Sequence, residues 1–135
     1  AIGDWTVKTA RKYSKSNLYA YEQDNKYFNI LKENVVLNNC LNVSYYKSSV
    51  KSINEIAKYT GSIIDFLKID CEGAEYDIFS NWDKKILIKK VVMEYHEIDN
   101  KKVTELVNIF IKRKYKIRTF PNRGVVGLGF LTAEL

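Results

Sequence analysis

The sequence predicts a doubly wound α/β fold, with a mostly parallel sheet that ends in an antiparallel strand pair near the C-terminus. Strand-like and helix-like patterns alternate, the run "IIDFLKID" is mostly apolar, and the last two strand patterns have no helix between them. Strands separated by helices form parallel sheets, whereas strands joined by a short turn pair antiparallel. With 135 residues and 46% hydrophobic composition, the chain suits one domain over residues 1–135.

The residue patterns in the first half of the chain predict two helices and two strands. Asp4 is a candidate N-cap for a helix that runs towards Tyr13, and "NLYAYE" is a strand that ends at Glu22. "DNKYFNILKENVVLNN" places apolar residues on one helical face after a cap at Asp24 or Asn25. "VSYYKSSV" is the second strand.

The second half begins with a helix in "SINEIAKYTG", where Ser52 and Glu55 have the spacing of a capping box and Gly61 closes the helix. "IIDFLKID" predicts a buried strand, and a short helix is expected over residues 73–82. "ILIKKVVMEYH" predicts a strand that ends near His96. A helix is predicted next, because apolar residues recur at helical spacing in "VTELVNIFIKRKY". The closing strand pair is predicted from "KIRTF" and "VVGLGFLTAEL", with "PNRG" as the turn between them.

The composition argues against several classes of protein. The net charge is +6, but the lysines are dispersed and no basic block is interleaved with aromatic residues, so we predict no nucleic-acid partner. No stretch approaches the roughly 20 apolar residues of a membrane span. Cys40 and Cys71 form neither a C-x-x-C pair nor a metal-binding spacing, and we interpret both as reduced thiols of a cytoplasmic protein.

The segment "FLKIDCEGAEYDIF" concentrates acids directly after the apolar strand. Glu75 and Asp77 lie in the first turns of the next helix, where each stabilises the positive helix end by ~0.3–1 kcal/mol. Asp70 lies on the strand side, and a carboxylate there needs a partner such as a ligand amine, a metal or a backbone amide. Ligands bind beyond the carboxyl ends of strands in such sheets, so Asp70 marks a candidate site.

A second candidate site lies near the N-terminus. The separation of Gly3 and Glu22 matches a dinucleotide-type arrangement, in which an acid about 20 residues after a glycine turn binds ribose hydroxyls. A carboxylate suits two adjacent hydroxyls because it offers two acceptor oxygens. The alternative is that Glu22 is a surface residue after a strand.

Glu94 and His96 are two residues apart on one predicted strand and therefore share a face. His96 is the only histidine, and imidazole can accept a proton from a hydroxyl nucleophile near neutral pH. One alternative is a histidine that is merely hydrogen-bonded. Another is a divalent metal held with Asp70 and Glu72, but we predict no metal, because such ligand types are common at strand ends without one.

The segments "LYAYEQDNKYFNILKENVVLNN", "IIDFLKIDCEGAEYDIF" and "VVMEYH" together resemble the FkbM family of S-adenosylmethionine-dependent methyltransferases, over nearly the whole chain and in the same order. "KIDCEGAE" is the most specific piece. The resemblance implies a Rossmann-like, class I methyltransferase fold of seven strands. It also implies cofactor-binding residues, which are Gly3, Glu22, Gln23, Ser48, Ser49 and Asp70.

The chain departs from the family pattern in two places. The family's first strand and the start of its glycine motif would precede Ala1, so we expect the sequence to be N-terminally truncated. A central strand that is missing leaves backbone groups of its neighbours unpaired, at ~1–3 kcal/mol for each buried group. The region between Ser49 and Ile63 is also shorter than in many members, which weakens the assignment of the adenine contacts.

The resemblance implies O-methylation of a sugar or another small molecule, since known family members methylate hydroxyls on sugars and polyketide-like products. We predict His96 as the base, Asp70 as the next candidate, and Glu94 as a residue that faces the acceptor. Two alternatives stay open. One is a non-catalytic binding or scaffold module, and the other is a nucleic-acid methyltransferase, although Pro121-Asn122 does not form the Pro-Pro-aromatic motif typical of amino-methylating DNA enzymes.

Overall fold

The computed structural model describes residues 3–135, which contain five helices and six strands. The chain divides into two compact units, Ala1–Ser49 and Val50–Leu135. All six strands expected from the sequence are present, and they alternate with helices until the last two, so the predicted α/β class is confirmed. The assignment of residues 1–135 to one domain stays a prediction.

The first unit is built on a parallel pair of strands, β1 (Leu18–Glu22) and β2 (Val43–Lys47). Helix α1 (Asp4–Lys12) precedes β1, and α2 (Asn25–Leu37) connects the two strands. Parallel neighbours need a crossover of this kind. The apolar core of this unit consists of Val7, Ala10, Leu31, Val35 and Cys40.

The two helices of this unit begin differently. The predicted cap at Asp24 is confirmed, because its carboxylate accepts a hydrogen bond from the Tyr27 amide at 3.0 Å. The predicted cap at Asp4 is wrong: Gly3 occupies the N-cap position with φ +76°, a left-handed conformation that favours glycine. Asp4 is the first helical residue instead, and it forms an ion pair with Lys8 one turn later, at 2.9 Å.

The second unit contains a four-stranded sheet in the order β3-β4-β6-β5. β3 and β4 are parallel, and β6 is antiparallel to both of its neighbours, so the predicted C-terminal antiparallel pair is confirmed. β6 begins later than the pattern "VVGLGFLTAEL" suggested, because residues 122–127 form the connection from β5. The strands are β3 (Ile63–Ile69), β4 (Leu87–His96), β5 (Lys116–Pro121) and β6 (Leu128–Glu134).

Three helices belong to the second unit: α3 (Ile53–Thr60), α4 (Glu75–Ser80) and α5 (Val103–Lys112). The Ser52 cap is confirmed, since its hydroxyl accepts from the Glu55 amide at 3.3 Å. Helix α4 is shorter than the predicted range 73–82, because residues 72–74 form a turn.

An aromatic cluster forms much of the core beneath this sheet. The ring centroids of Phe79 and Phe110 lie 5.0 Å apart in an edge-to-face arrangement, and Trp82 and Tyr115 join them at 5.3–5.8 Å. Such pairs add about 0.5–1.5 kcal/mol each beyond the burial of their area. The cluster therefore fixes α4 and α5, and with them the turn that precedes α4.

Two buried tyrosines next to this core differ in their hydrogen bonding. The Tyr115 hydroxyl donates to the Ile88 carbonyl, whereas the Tyr76 hydroxyl has no hydrogen-bond partner among the described residues. We expect Tyr76→Phe to leave the free energy of unfolding unchanged or to raise it by up to about 1 kcal/mol. Tyr115→Phe should lower it by about 1–2 kcal/mol, because the Ile88 carbonyl loses its donor. Urea unfolding at pH 7 measures both, and equal losses would contradict the assignment.

The same pair of variants tests an alkaline pH dependence. Burial, and then the nearby Glu97 carboxylate, raise the pKa of Tyr76 to about 12. The unfolded chain releases this proton near pH 10, before the folded chain does, so the free energy of unfolding of the parent falls as the pH rises from 10 towards 12. Tyr76→Phe should therefore lose less stability than the parent over this interval.

Candidate functional site

The turn between β3 and α4 has an unusual backbone. Glu72 and Gly73 both have positive φ angles, +53° and +103°. A Cβ atom at Gly73 would lie 2.2 Å from the Cδ1 atom of Ile98, so this position admits only glycine without rearrangement. A non-glycine residue in the left-handed region costs about 1–2 kcal/mol, and such outliers concentrate at functional sites.

Glu75 is the residue around which this turn is organised. Its side chain is completely buried, with 0% exposure. The Oε1 atom accepts hydrogen bonds from the backbone amides of Gly73 at 3.2 Å and Cys71 at 3.4 Å, and the Cys71 thiol lies 3.6 Å away. The second oxygen, Oε2, has no partner among the described residues.

His96, the last residue of β4, lies between two carboxyl groups. Its Nδ1 atom is 3.2 Å from Glu75 Oε1, and its Nε2 atom is 3.3 Å from Glu72 Oε2. The two partners differ in environment, because the Glu75 side chain is 0% exposed and that of Glu72 is 85% exposed. The structure thus brings His96 together with two acids of the "CEGAE" turn.

Glu75 is the residue of this site that the sequence reasoning missed. Its position in the first turn of α4 predicts only an interaction with the helix end. The available signal was helical periodicity: Glu75, Ile78 and Phe79 are three or four residues apart, and both apolar residues are buried. An acid on the buried face of a helix needs partners there, and the turn amides and His96 provide them.

Cys71 does not contribute a nucleophile to this site. Burial is the main cause that raises the pKa of its thiol well above the usual value, and the neighbouring Glu75 carboxyl raises it further. The thiolate is the reactive form of cysteine, and the raised pKa disfavours it at neutral pH. Both Cys71 and Cys40 are free cysteines.

Asp70 and Glu94 occupy different positions from His96 and its partners. Asp70 follows directly after β3, its side chain is 45% exposed, and it pairs with Lys68 Nζ at 3.3 Å. The Asp70 carboxylate thus has a partner in Lys68 of β3, the strand that ends just before Asp70. Glu94 lies opposite Phe130, which in turn lies opposite Phe120.

Directly opposed residues of an antiparallel pair share a face, so Glu94, Phe130 and Phe120 form one row across the sheet. Phe130 is 48% exposed and Phe120 is 52% exposed. Aromatic side chains at this exposure are not core residues. The row therefore combines an apolar surface with one carboxylate, close to the strand end that carries His96.

The remaining predicted residues belong to the first unit. Glu22 and Ser48 come together at the carboxyl ends of β1 and β2, where the Ser48 amide donates to the Glu22 carbonyl at 3.1 Å. The Glu22 side chain is partly buried, and its Oε1 atom accepts from the Asp24 amide at 2.8 Å. The Ser48 hydroxyl donates to the Ser49 carbonyl at 3.3 Å.

Gly3 and Gln23 complete that set. An added Cβ atom at Gly3 would lie 3.3 Å from a side-chain carbon of Leu31 and 3.4 Å from its Cα, so the chain approaches α2 closely there. Gln23 is exposed and follows Glu22 directly. For the metal hypothesis, residues 3–135 contain no group of three or more His, Cys, Asp and Glu side chains that could hold a metal ion.

Comparison with known proteins adds a family and a fold. The Methyltransferase FkbM domain matches residues 41–117, more than half of the chain. No significant match was found among curated proteins.

Three solved structures have a similar fold. The precorrin-6y C5,15-methyltransferase of Geobacter metallireducens is 14% identical, with 96% of this chain and 74% of that chain covered and a TM-score of 0.69. SMU.1697c of Streptococcus mutans, solved in complex with S-adenosylhomocysteine (SAH), is 15% identical. The match covers 99% of this chain and 83% of that chain, with a TM-score of 0.66. An rRNA methylase of Streptococcus thermophilus is 11% identical. The match covers 99% of this chain and 81% of that chain, with a TM-score of 0.68. At such identities the likeness concerns the fold.

Proposed function

The chain belongs to the FkbM methyltransferase family, and from this premise we propose that it methylates a hydroxyl group of a sugar or another small molecule. The family makes the protein an S-adenosylmethionine-dependent methyltransferase. The observation that carries the choice of a hydroxyl acceptor is the pairing of His96 with Glu75. A hydroxyl nucleophile has to lose a proton, and an oriented imidazole at a strand end can take it.

The residues of the first unit fit the ribose of the cofactor. Glu22 is oriented by the Asp24 amide through Oε1, while no described residue bonds Oε2. Oε2 and the remaining lone pair of Oε1 can accept from two adjacent hydroxyls at the carboxyl end of the strand. We assign the ribose to Glu22 and Gln23, the adenine surroundings to Ser48 and Ser49, and the glycine motif to Gly3.

When bound, S-adenosylmethionine supplies an activated methyl group, and the protein's contribution is alignment and proton removal. His96 accepts the acceptor's proton at Nε2, while Nδ1 faces Glu75. Well-placed general bases contribute about 10²–10⁴-fold to a rate. Asp70 is the next candidate base, and the family pattern also assigns it to the methionine portion of the cofactor.

The row formed by Glu94, Phe130 and Phe120 supports a small ring-shaped acceptor. Ligand sites combine apolar and aromatic walls with a few polar groups that fix orientation. The exposed faces of Phe120 and Phe130 provide such a wall, and Glu94 provides an acceptor for hydroxyl groups. This combination matches a sugar, which has hydroxyl groups on its edges and C–H groups on its faces.

RNA is the second candidate acceptor. The net charge of +6 and the rRNA methylase among the proteins of similar fold favour it. Binding through phosphate contacts loses affinity steeply as salt rises, whereas a neutral sugar acceptor has no such dependence. A scaffold without catalysis is the third possibility, and it predicts no SAH binding.

For the location of the protein we propose the cytoplasm, on the basis of the two free cysteines. Within residues 3–135, no helix combines the length and the apolar character needed to cross a membrane.

The first test of the function has two parts. Calorimetric titration with SAH should show binding at one site. Incubation with S-adenosylmethionine carrying an isotopically labelled methyl group, and with a panel of glycosides and RNA, should label a glycoside hydroxyl. Labelled RNA, at a rate that falls steeply between 50 and 200 mM salt, would favour the second candidate. A folded protein that binds no SAH would contradict the methyltransferase proposal.

A further inference from the structure

The buried carboxyl group of Glu75 has the geometry of a positioning group for His96. This point rests on the proposed function, in which His96 is the base, but it concerns a residue that the family pattern does not explain. A neutral imidazole has one N–H donor and one acceptor nitrogen, and which nitrogen carries the proton depends on what each one faces.

The surroundings of the His96 Nδ1 atom favour a proton on that nitrogen. Glu75 Oε1 lies 3.2 Å from Nδ1, and carboxylate oxygens only accept hydrogen bonds. This oxygen is held in place by the Gly73 and Cys71 amides, and the side chain is inaccessible to solvent. A fixed acceptor next to Nδ1 favours the neutral tautomer that carries its proton there.

The partner of Nε2, in contrast, is exposed to solvent. Glu72 Oε2 lies 3.3 Å from Nε2, but its side chain is 85% exposed. Exposed ion pairs contribute only about 0–1 kcal/mol, so an acceptor hydroxyl can replace Glu72. Leu128 lies opposite His96 on β6, and Glu94 lies two residues earlier on the same face of β4.

We propose that Glu75 is a positioning residue, which holds His96 in the Nδ1–H tautomer and thereby leaves Nε2 as the nitrogen that takes the acceptor's proton. After that transfer the ring is an imidazolium with an N–H on each side. Glu72 can then accept a hydrogen bond from the new Nε2–H group, so the role of this exposed acid is to stabilise the imidazolium after the transfer. The proton moves from the hydroxyl to Nε2, and Glu75 takes no part in the transfer.

The alternative is that Glu75 serves only the fold, by accepting from the turn amides. Both hypotheses predict that loss of Glu75 destabilises the protein, so stability does not separate them. The tautomer of His96 does, because a carboxyl group that only anchors the turn has no influence on the ring nitrogens.

Because His96 is the only histidine, nitrogen NMR of protein labelled with ¹⁵N-histidine reports one ring without assignment. At a pH where the ring is neutral, we expect the parent protein to show Nδ1 protonated and Nε2 unprotonated. In Glu75→Gln the charge is lost but the shape is kept. The ratio of Nδ1–H to Nε2–H should then fall about tenfold, the difference between a charge-assisted and a neutral hydrogen bond.

Glu72→Gln is the matched control, since it makes the same chemical change next to the other ring nitrogen. We expect it to leave the Nδ1–H tautomer in place. A parent protein whose neutral ring is protonated at Nε2 would overturn the proposal, whether or not the Glu75 variant folds. An unchanged tautomer ratio in a folded Glu75→Gln would overturn it as well.

The NMR measurement needs neither cofactor nor acceptor, so its outcome is separate from that of the proposed function. If SAH fails to bind while the tautomer behaves as expected, the methyltransferase proposal falls and the positioning of His96 stands. If SAH binds and the tautomer does not respond to Glu75, the reverse holds.

Discussion

Replacing Glu22 with alanine is expected to weaken SAH binding roughly 10–150-fold, since a hydrogen bond to a charged group contributes ~1.5–3 kcal/mol. The reason lies in the geometry of the first unit. The Asp24 amide fixes one carboxylate oxygen of Glu22 at the end of β1, and the other oxygen is available to ribose hydroxyls. Titration calorimetry of parent and variant at the same salt concentration measures the change.

Two further variants separate this effect from damage to the fold. Glu22→Gln keeps an acceptor for the Asp24 amide and so protects the start of α2, where Asp24 is the cap. It should bind more weakly than the parent but more tightly than Glu22→Ala. Glu33→Ala makes the same charge change at an exposed position of α2 in the same unit, and it should bind SAH within about threefold of the parent. Equal binding by parent and Glu22→Ala would remove Glu22 from the cofactor site.

The parts of the fold that could be predicted are those that local chemistry determines. The strand predicted in "IIDFLKID" is confirmed, because β3 lies within that run, but its predicted burial is wrong: four of its seven residues are exposed, among them Ile63 at 57% and Phe66 at 43%. Asp24 and Ser52 satisfy amides three residues ahead of them, which depends only on residue type and spacing. Glu94 and His96 share a strand face because side chains alternate along a strand.

The parts that could not be predicted include one contact between distant segments and two local alternatives. The Glu75–His96 contact joins residues 21 positions apart, and nothing near Glu75 in the sequence reveals that partner. The predicted cap at Asp4 failed because a glycine in a left-handed conformation could start the helix one residue earlier. The role of Asp70 at a ligand stays a prediction, and its contact with Lys68 of β3 at 3.3 Å is a partner that the sequence argument did not name.

The Lys68 pair also bears on the choice of base. Lys68 Nζ lies 3.3 Å from the Asp70 carboxylate, so a hydroxyl that approaches Asp70 competes with a cation that is already paired with it. At His96, the Nε2 atom faces the exposed Glu72 carboxylate at 3.3 Å, and a hydroxyl can displace an exposed partner of this kind. The geometry therefore favours His96 over Asp70 as the base.

Substitution of His96 is expected to lower the rate of methyl transfer by about 10²–10⁴-fold, the usual contribution of a general base. His96→Asn is the informative variant, because its amide can still donate to Glu75 while the base is lost. His96→Ala should have a similar rate and lower stability, since it also removes the donor that faces a buried carboxyl group. The rate is measured with the labelled glycoside that the acceptor panel identifies.

The affinity for SAH decides how such a loss is interpreted. If His96 acts only on the acceptor's proton, SAH should bind to His96→Asn within about threefold of the parent, and kcat should fall while KM for the cofactor is kept. Asp70→Asn is the competing variant: a large loss of rate there, together with near-normal rates in His96→Asn, would transfer the role of base to Asp70. A rate that survives both changes would mean that alignment alone carries the reaction, as an activated methyl group permits when no base is needed.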